Sequence, residues 1–80
     1  MTTFDKAKEL ILKVQSGKLD PAAVTPEADL RTELGFDSLA MMELIVLTEE
    51  AFNIKIAVED AIATNTPADM VAYLDRSTQK

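Results

Sequence analysis

From Ser38 to Phe52 the chain runs without a glycine or proline, and its apolar residues recur at three- and four-residue spacing. A stretch of that length and period is an amphipathic helix, because only a 3.6-residue repeat puts those side chains on one face. Two further segments carry the same period. Phe4, Ala7, Leu10, Ile11 and Val14 predict a helix over about Thr3–Ser16, with Gly17 as its stop. Thr66 as cap, Pro67 in the first turn and Asp69 three residues after the cap open a last helix, whose Met70, Val71 and Leu74 face inward.

Between the first two helices, Lys18–Phe36 is punctuated by Pro21, Pro26 and Gly35 and reads as a long connection. Leu30 and Leu34 are expected to pin it to the core. Thr25-Pro26-Glu27 is suited to start one helical turn within it. After Phe52 come a short extended stretch, Ile54-Lys55-Ile56, and a brief apolar-acidic turn at Val58–Ala63. The expected fold is all-α, a small four-helix bundle of three main helices plus a short third one, with the long loop between the first and second. At 80 residues it is a single domain.

What the chain lacks narrows its chemistry. It has neither cysteine nor histidine, which removes disulfides, thiolate metal sites, imidazole acid–base work and the histidine-activated nucleophiles. A catalyst of its own is not expected. No apolar run approaches the ~20 residues of a membrane span, and the first residues do not form a signal peptide. A soluble, cytoplasmic protein is expected. The net charge of −6 is unevenly placed: residues 25–60 carry nine acids against Arg31 and Lys55. Such a segment repels nucleic acid and suits partners with basic surfaces, although an acidic face kept for solubility is the commoner use.

On a wheel, Ala40, Leu44, Leu47 and Ala51 form the core stripe of the Ser38–Phe52 helix, widened by Met41, Ile45 and Phe52. The opposite side mixes Leu39, Met42 and Val46 with Glu43, Glu49 and Glu50. That is either a docking face or a surface whose Leu39 and Met42 pack under the loop. Ser38 follows Asp37 at the helix start, so on local grounds it reads as a cap. The same position places its hydroxyl where unpaired amides and the helix dipole favour a phosphate. With no histidine and no second glycine of a nucleophile elbow, this serine is better suited to being modified than to attacking a substrate.

Leu34-Gly35-Phe36-Asp37-Ser38-Leu39, then Glu43-Leu44 and Glu49-Glu50-Ala51-Phe52-Asn53-Ile54-Lys55-Ile56, resembles the acyl carrier proteins over about residues 4–75. The resemblance implies that Ser38 receives 4′-phosphopantetheine from coenzyme A through a Mg²⁺-dependent phosphopantetheinyl transferase. The arm's thiol would then present acyl thioesters to synthases, reductases and acyltransferases, with no catalysis by the carrier. Asp37, Leu39, Glu43, Val46, Glu49, Glu50 and Ile56 fall on the family's docking positions, and Met42 joins them from the wheel. A monomer carrying one such domain over residues 1–80 is implied.

Departures bear on the subtype. Ala40 stands where fatty-acid carriers often have a second aspartate, Ala57-Val58-Glu59-Asp60 replaces a proline-acid run, and Thr48 takes a place usually held by an inward leucine. A specialised carrier, polyketide-like or lipid-modifying, therefore competes with a housekeeping fatty-acid role. A carrier of amino acids or peptides and an unmodified helical interaction protein are the remaining readings.

Overall fold

The computed structural model describes residues 2–78. Four α-helices follow one another: α1 (Thr3–Gln15), α2 (Ser38–Phe52), α3 (Val58–Ala63) and α4 (Pro67–Thr78), and the described residues contain no strand. The expected four-helix architecture is present, with α3 as its short member.

Each helix boundary has a local cause. At α1, Thr2 and Asp5 exchange side-chain and backbone hydrogen bonds in a capping box. Its end falls one residue earlier than the glycine suggests, because Ser16 itself takes the left-handed conformation. Asn53 does the same after α2, and asparagine tolerates that region better than most residues. At α4, Thr66 Oγ1 accepts from the Asp69 amide (3.1 Å) and Asp69 Oδ2 accepts from the amides of Thr66 (3.2 Å) and Asn65 (3.0 Å).

Helix α1 packs against both α2 and α4. Ala7 and Ile11 are its buried pair, with Leu10 and Val14 packed at the edge of the core. Val24, Ala28, Leu30, Leu34 and Phe36, all from the long connection, supply the rest of one core wall. Leu30 and Leu34 are buried as expected, and three neighbours join them. Hydrogen bonds tie this loop to α1, to Asn65 and to α4. Gln15 Nε2 donates to the Leu34 carbonyl (2.9 Å), the Leu30 amide to the Asn65 carbonyl (2.8 Å), and the Ala68 amide to the Pro26 carbonyl (2.9 Å).

The helical turn expected at Thr25-Pro26-Glu27 is instead a 3₁₀ turn at Pro21–Ala23, capped by Asp20, whose carboxylate accepts from the Ala22 amide (2.9 Å). Asp-Pro offers the same cap-then-proline logic as Thr-Pro. The Pro26 carbonyl meanwhile serves the first turn of α4, and only a hydrogen-bonded turn remains there.

The buried face of α2 is rotated slightly from the expected stripe. Met41, Leu44 and Thr48 lie at its centre, Ala40, Ile45, Leu47 and Phe52 flank it half-buried, and Ala51 is exposed. Thr48 is only 3% exposed. Its Oγ1 donates to the Leu44 carbonyl of the preceding turn, 2.6 Å away, so a buried hydroxyl is satisfied without a tertiary partner.

Candidate functional site

Three devices aim the start of α2 outward. Gly35 takes φ +74°, a conformation that costs an L side chain about 1–2 kcal/mol. The Phe36 amide donates to the Leu30 carbonyl (2.8 Å), folding the loop back on itself just before the helix start. Phe36 is buried and anchors the turn.

The cap of α2 then falls to Asp37, not Ser38. Asp37 has extended backbone angles, and its Oδ1 accepts from the Ala40 amide at 2.8 Å. The serine-as-cap expectation is corrected by one position, since the chain enters helical geometry at Ser38 and a cap must stand just outside it. Ser38 is consequently an exposed first-turn residue whose hydroxyl has no partner among the described residues. The unpaired amides of the first turn lie beside it, the usual setting for a bound phosphate.

Ser38 also lines a groove of about 380 Å³ between α2 and α3. Met41, Met42, Ile45 and Val46 form one wall, Ile56, Val58, Ala61 and Ile62 the other, and Arg31 is the sole charged lining residue. Large apolar side chains here face solvent: Met42 is 63% exposed, Val46 51%, Val58 71% and Ile62 67%. Leu39 (68%) is likewise exposed but lies outside the groove. Leu39 and Met42 do not pack under the loop, and the choice left open by the wheel is resolved in favour of an exposed mixed face.

The carboxylates on that face differ. Glu43 and Glu50 are exposed. Glu49 is half-buried, and its Oε2 accepts from the Ile56 amide at 2.8 Å, holding the extended 54–57 segment against α2. One of its oxygens is therefore committed to structure. Ile56, half-buried, lies in the groove wall. Met42, Glu43, Val46 and Leu47 share a second, open hollow on the outer side of α2. Arg31, Val58 and Ile62 were not among the residues singled out from the sequence. The i, i+4 spacing of Val58 and Ile62 would have revealed two of them, since Ala61 alone turns inward from that helix.

Behind Arg31, Asp29 Oδ1 accepts from the amides of Arg31 and Thr32, both at 2.9 Å. The Thr32 amide chiefly, helped by the Arg31 amide, the Thr32 hydroxyl and last the Arg31 charge, holds the Asp29 carboxyl below its ordinary value against the opposing effect of desolvation. A carboxyl lowered in the folded state contributes stability at neutral pH and loses it as pH falls through the lowered value.

A phosphopantetheine group fits what is present. The exposed hydroxyl offers an attachment atom, helix-terminal amides and a guanidinium suit its phosphate, and the groove volume lies within the ~300–1,000 Å³ of ligand clefts.

Comparison with known proteins agrees. Residues 11–74 match the family described as the phosphopantetheine attachment site. The meromycolate extension acyl carrier proteins of Mycolicibacterium aurum and Mycolicibacterium smegmatis are each 40% identical over 58 residues, 72% of this chain. The aligned region spans about 60% of the length of each. Among solved structures, a Mycobacterium tuberculosis protein provisionally assigned as an acyl carrier protein superposes with a TM-score of 0.84 at 25% identity, covering 94% of this chain and 97% of that one. The acyl carrier protein of Enterococcus faecalis shares the fold, with a TM-score of 0.77 at 23% identity over 98% of this chain and 100% of that one.

Proposed function

The chain belongs to the acyl carrier protein family, whose domain is a phosphopantetheine attachment site, and from that premise we propose that Ser38 is the attachment residue and that residues 1–80 act as one discrete carrier domain. The observation that carries the assignment is the Asp37–Ser38 junction: the cap is supplied by Asp37, leaving the Ser38 hydroxyl exposed and unengaged at a helix N-terminus beside an apolar groove. When attached, the arm supplies a terminal thiol that holds acyl groups as thioesters. The chain itself supplies position. It contains no histidine, so no imidazole of its own activates Ser38, and the base that takes the Ser38 proton during loading is assigned to the transferase.

The cargo class we favour is acyl, in lipid biosynthesis. The names of the Mycolicibacterium relatives support it over an aminoacyl or peptidyl cargo. A monomer in the cytoplasm is the state proposed, and among the described residues no helix is long and apolar enough to cross a membrane. The test is incubation with coenzyme A, Mg²⁺ and a broad-specificity transferase. Intact-mass analysis should show the gain of one phosphopantetheine. An unchanged mass would leave a carrier fold used as an unmodified interaction protein.

Partners are proposed to be the phosphopantetheinyl transferase and acyl-processing synthases, reductases and acyltransferases that present basic surfaces. They would read Asp37, Leu39, Met42, Glu43, Val46, Glu49, Glu50 and Ile56. Glu43→Lys or Glu50→Lys should slow association with the transferase by up to ~10-fold at low salt, the lower end of what electrostatic steering supplies. Val46→Ala should mainly speed dissociation, because truncating a contact buried in the complex acts there. Stopped-flow binding separates the two, and unchanged kinetics in both glutamate reversals would leave those residues as solvated surface. Glu49 is a poor choice for this test, since its bond to Ile56 would be lost as well.

A further inference from the structure

Resting on the carrier reading, we propose that Arg31 is a positioning residue for the arm: its guanidinium pairs with the phosphodiester on Ser38 and lays the arm into the α2–α3 groove.

Arg31 and Ser38 line the same groove, whose other lining residues are all apolar. The Phe36–Leu30 hydrogen bond closes the loop that carries Arg31, immediately before the helix that carries Ser38. The Arg31 side chain is held by uncharged acceptors. Its Nη1 donates to Asn65 Oδ1 at 3.1 Å and lies 3.5 Å from the Thr64 carbonyl. Neither acceptor neutralises it. The nearby Asp29 carboxylate is turned to the Arg31 and Thr32 amides, and among the described residues the guanidinium forms no ion pair.

An oriented cation that forms no ion pair among the described residues is unusual in a segment that carries nine acids against two bases. A phosphodiester on Ser38 brings one negative charge next to Asp37, whose carboxylate opposes it. A guanidinium with several N–H groups can keep its Asn65 bond and still offer donors to the phosphate. A structural tie to Asn65 alone would require only a neutral donor, which is what separates the two roles.

The experiment loads the wild-type chain and Arg31→Gln with ¹³C-labelled coenzyme A and records NOEs from the geminal methyls of the arm to the Val46 and Ile62 methyls, together with the ³¹P shift. Glutamine keeps a donor for Asn65, and melting curves check that both proteins are folded. Wild type should show the contacts, and Arg31→Gln should lower the docked-to-free ratio roughly two- to fivefold, the scale of an exposed charge pair. Arg31→Lys should restore part of it. Raising salt from ~0.01 M to ~1 M, which shortens the Debye length from about 30 to 3 Å, should bring wild type toward the glutamine variant. Equal NOE intensities and ³¹P shifts in wild type and Arg31→Gln, or no contacts in either, would overturn the role of Arg31 while the loaded mass upholds the carrier reading. Failure of both proteins to load would overturn the carrier reading and this inference with it.

Discussion

Ser38→Ala should abolish phosphopantetheine loading completely while leaving the fold almost untouched, and Asp37→Ala should do nearly the reverse. Asp37 accepts the Ala40 amide and stands just outside the helix, whereas Ser38 is an exposed first-turn residue. Removing a side-chain cap costs about 0.5–2 kcal/mol. Exposed substitutions away from such a device usually stay within about 0.5 kcal/mol. For a domain of this size 1 kcal/mol moves Tm by roughly 4–8 °C. The alanine at 38 should therefore melt within a few degrees of wild type, and the alanine at 37 visibly lower. Intact mass after transferase treatment and a melting curve on the same samples distinguish a lost attachment atom from a damaged helix start. Residual loading of Ser38→Ala would move the attachment to another hydroxyl.

Leu44→Ala should be the most damaging single truncation in α2, costing about 2–5 kcal/mol as buried leucines do. Leu44 is 2% exposed and borders a small, partly open hollow of about 30 Å³, shared with Met41, Thr48, Met70 and Leu74. Removing the isopropyl group beyond its β-carbon enlarges a space that already exists, and the cost rises with residual cavity volume, so the upper half of that range is expected. Against a total of ~5–15 kcal/mol for a small domain, part of the population should be unfolded under mild conditions. Leu47→Ala provides the comparison. Leu47 is half-buried on the flank, and its loss should lower the urea midpoint distinctly less at an unchanged slope. A Leu47 effect equal to that of Leu44 would contradict the rotated core face.

That rotation marks where the sequence stopped being sufficient. Helical period and end signals were legible because they are local: the uninterrupted run to Phe52, and Thr66-Pro67 with Asp69, specify their helices without help from the rest of the chain. The wheel centred the α2 core on Ala40, Leu44, Leu47 and Ala51, by hydrophobicity alone. The centre is instead Met41, Leu44 and Thr48, because the threonine satisfies its hydroxyl on its own helix and can then be buried like an apolar residue. Its place near the core arc was legible; its place at the centre was not.

The long loop was harder still. Leu30 and Leu34 announced themselves by size, but Val24, Ala28 and Phe36 are buried in a loop whose course is tied, through Leu30, Pro26 and Leu34, to Asn65, Ala68 and Gln15, partners far along the chain. The same dependence hid Arg31, whose approach to the groove is set by the Leu30–Phe36 closure and by Asn65. On the candidate site, the residue types of the mixed α2 face could be read, but whether Leu39 and Met42 were covered could not, since that depends on where the loop goes.

The central claim is that Ser38 carries the arm, and its most direct measurement is site localisation in the unmutated protein. Wild-type chain loaded with coenzyme A would be digested and its peptides fragmented by a method that preserves the phosphodiester. The account predicts one phosphopantetheine per chain, confined to the peptide containing Gly35-Phe36-Asp37-Ser38-Leu39, with fragment ions placing it on Ser38. The same group found on Ser16, Ser77 or a threonine, with Ser38 unmodified, would contradict it.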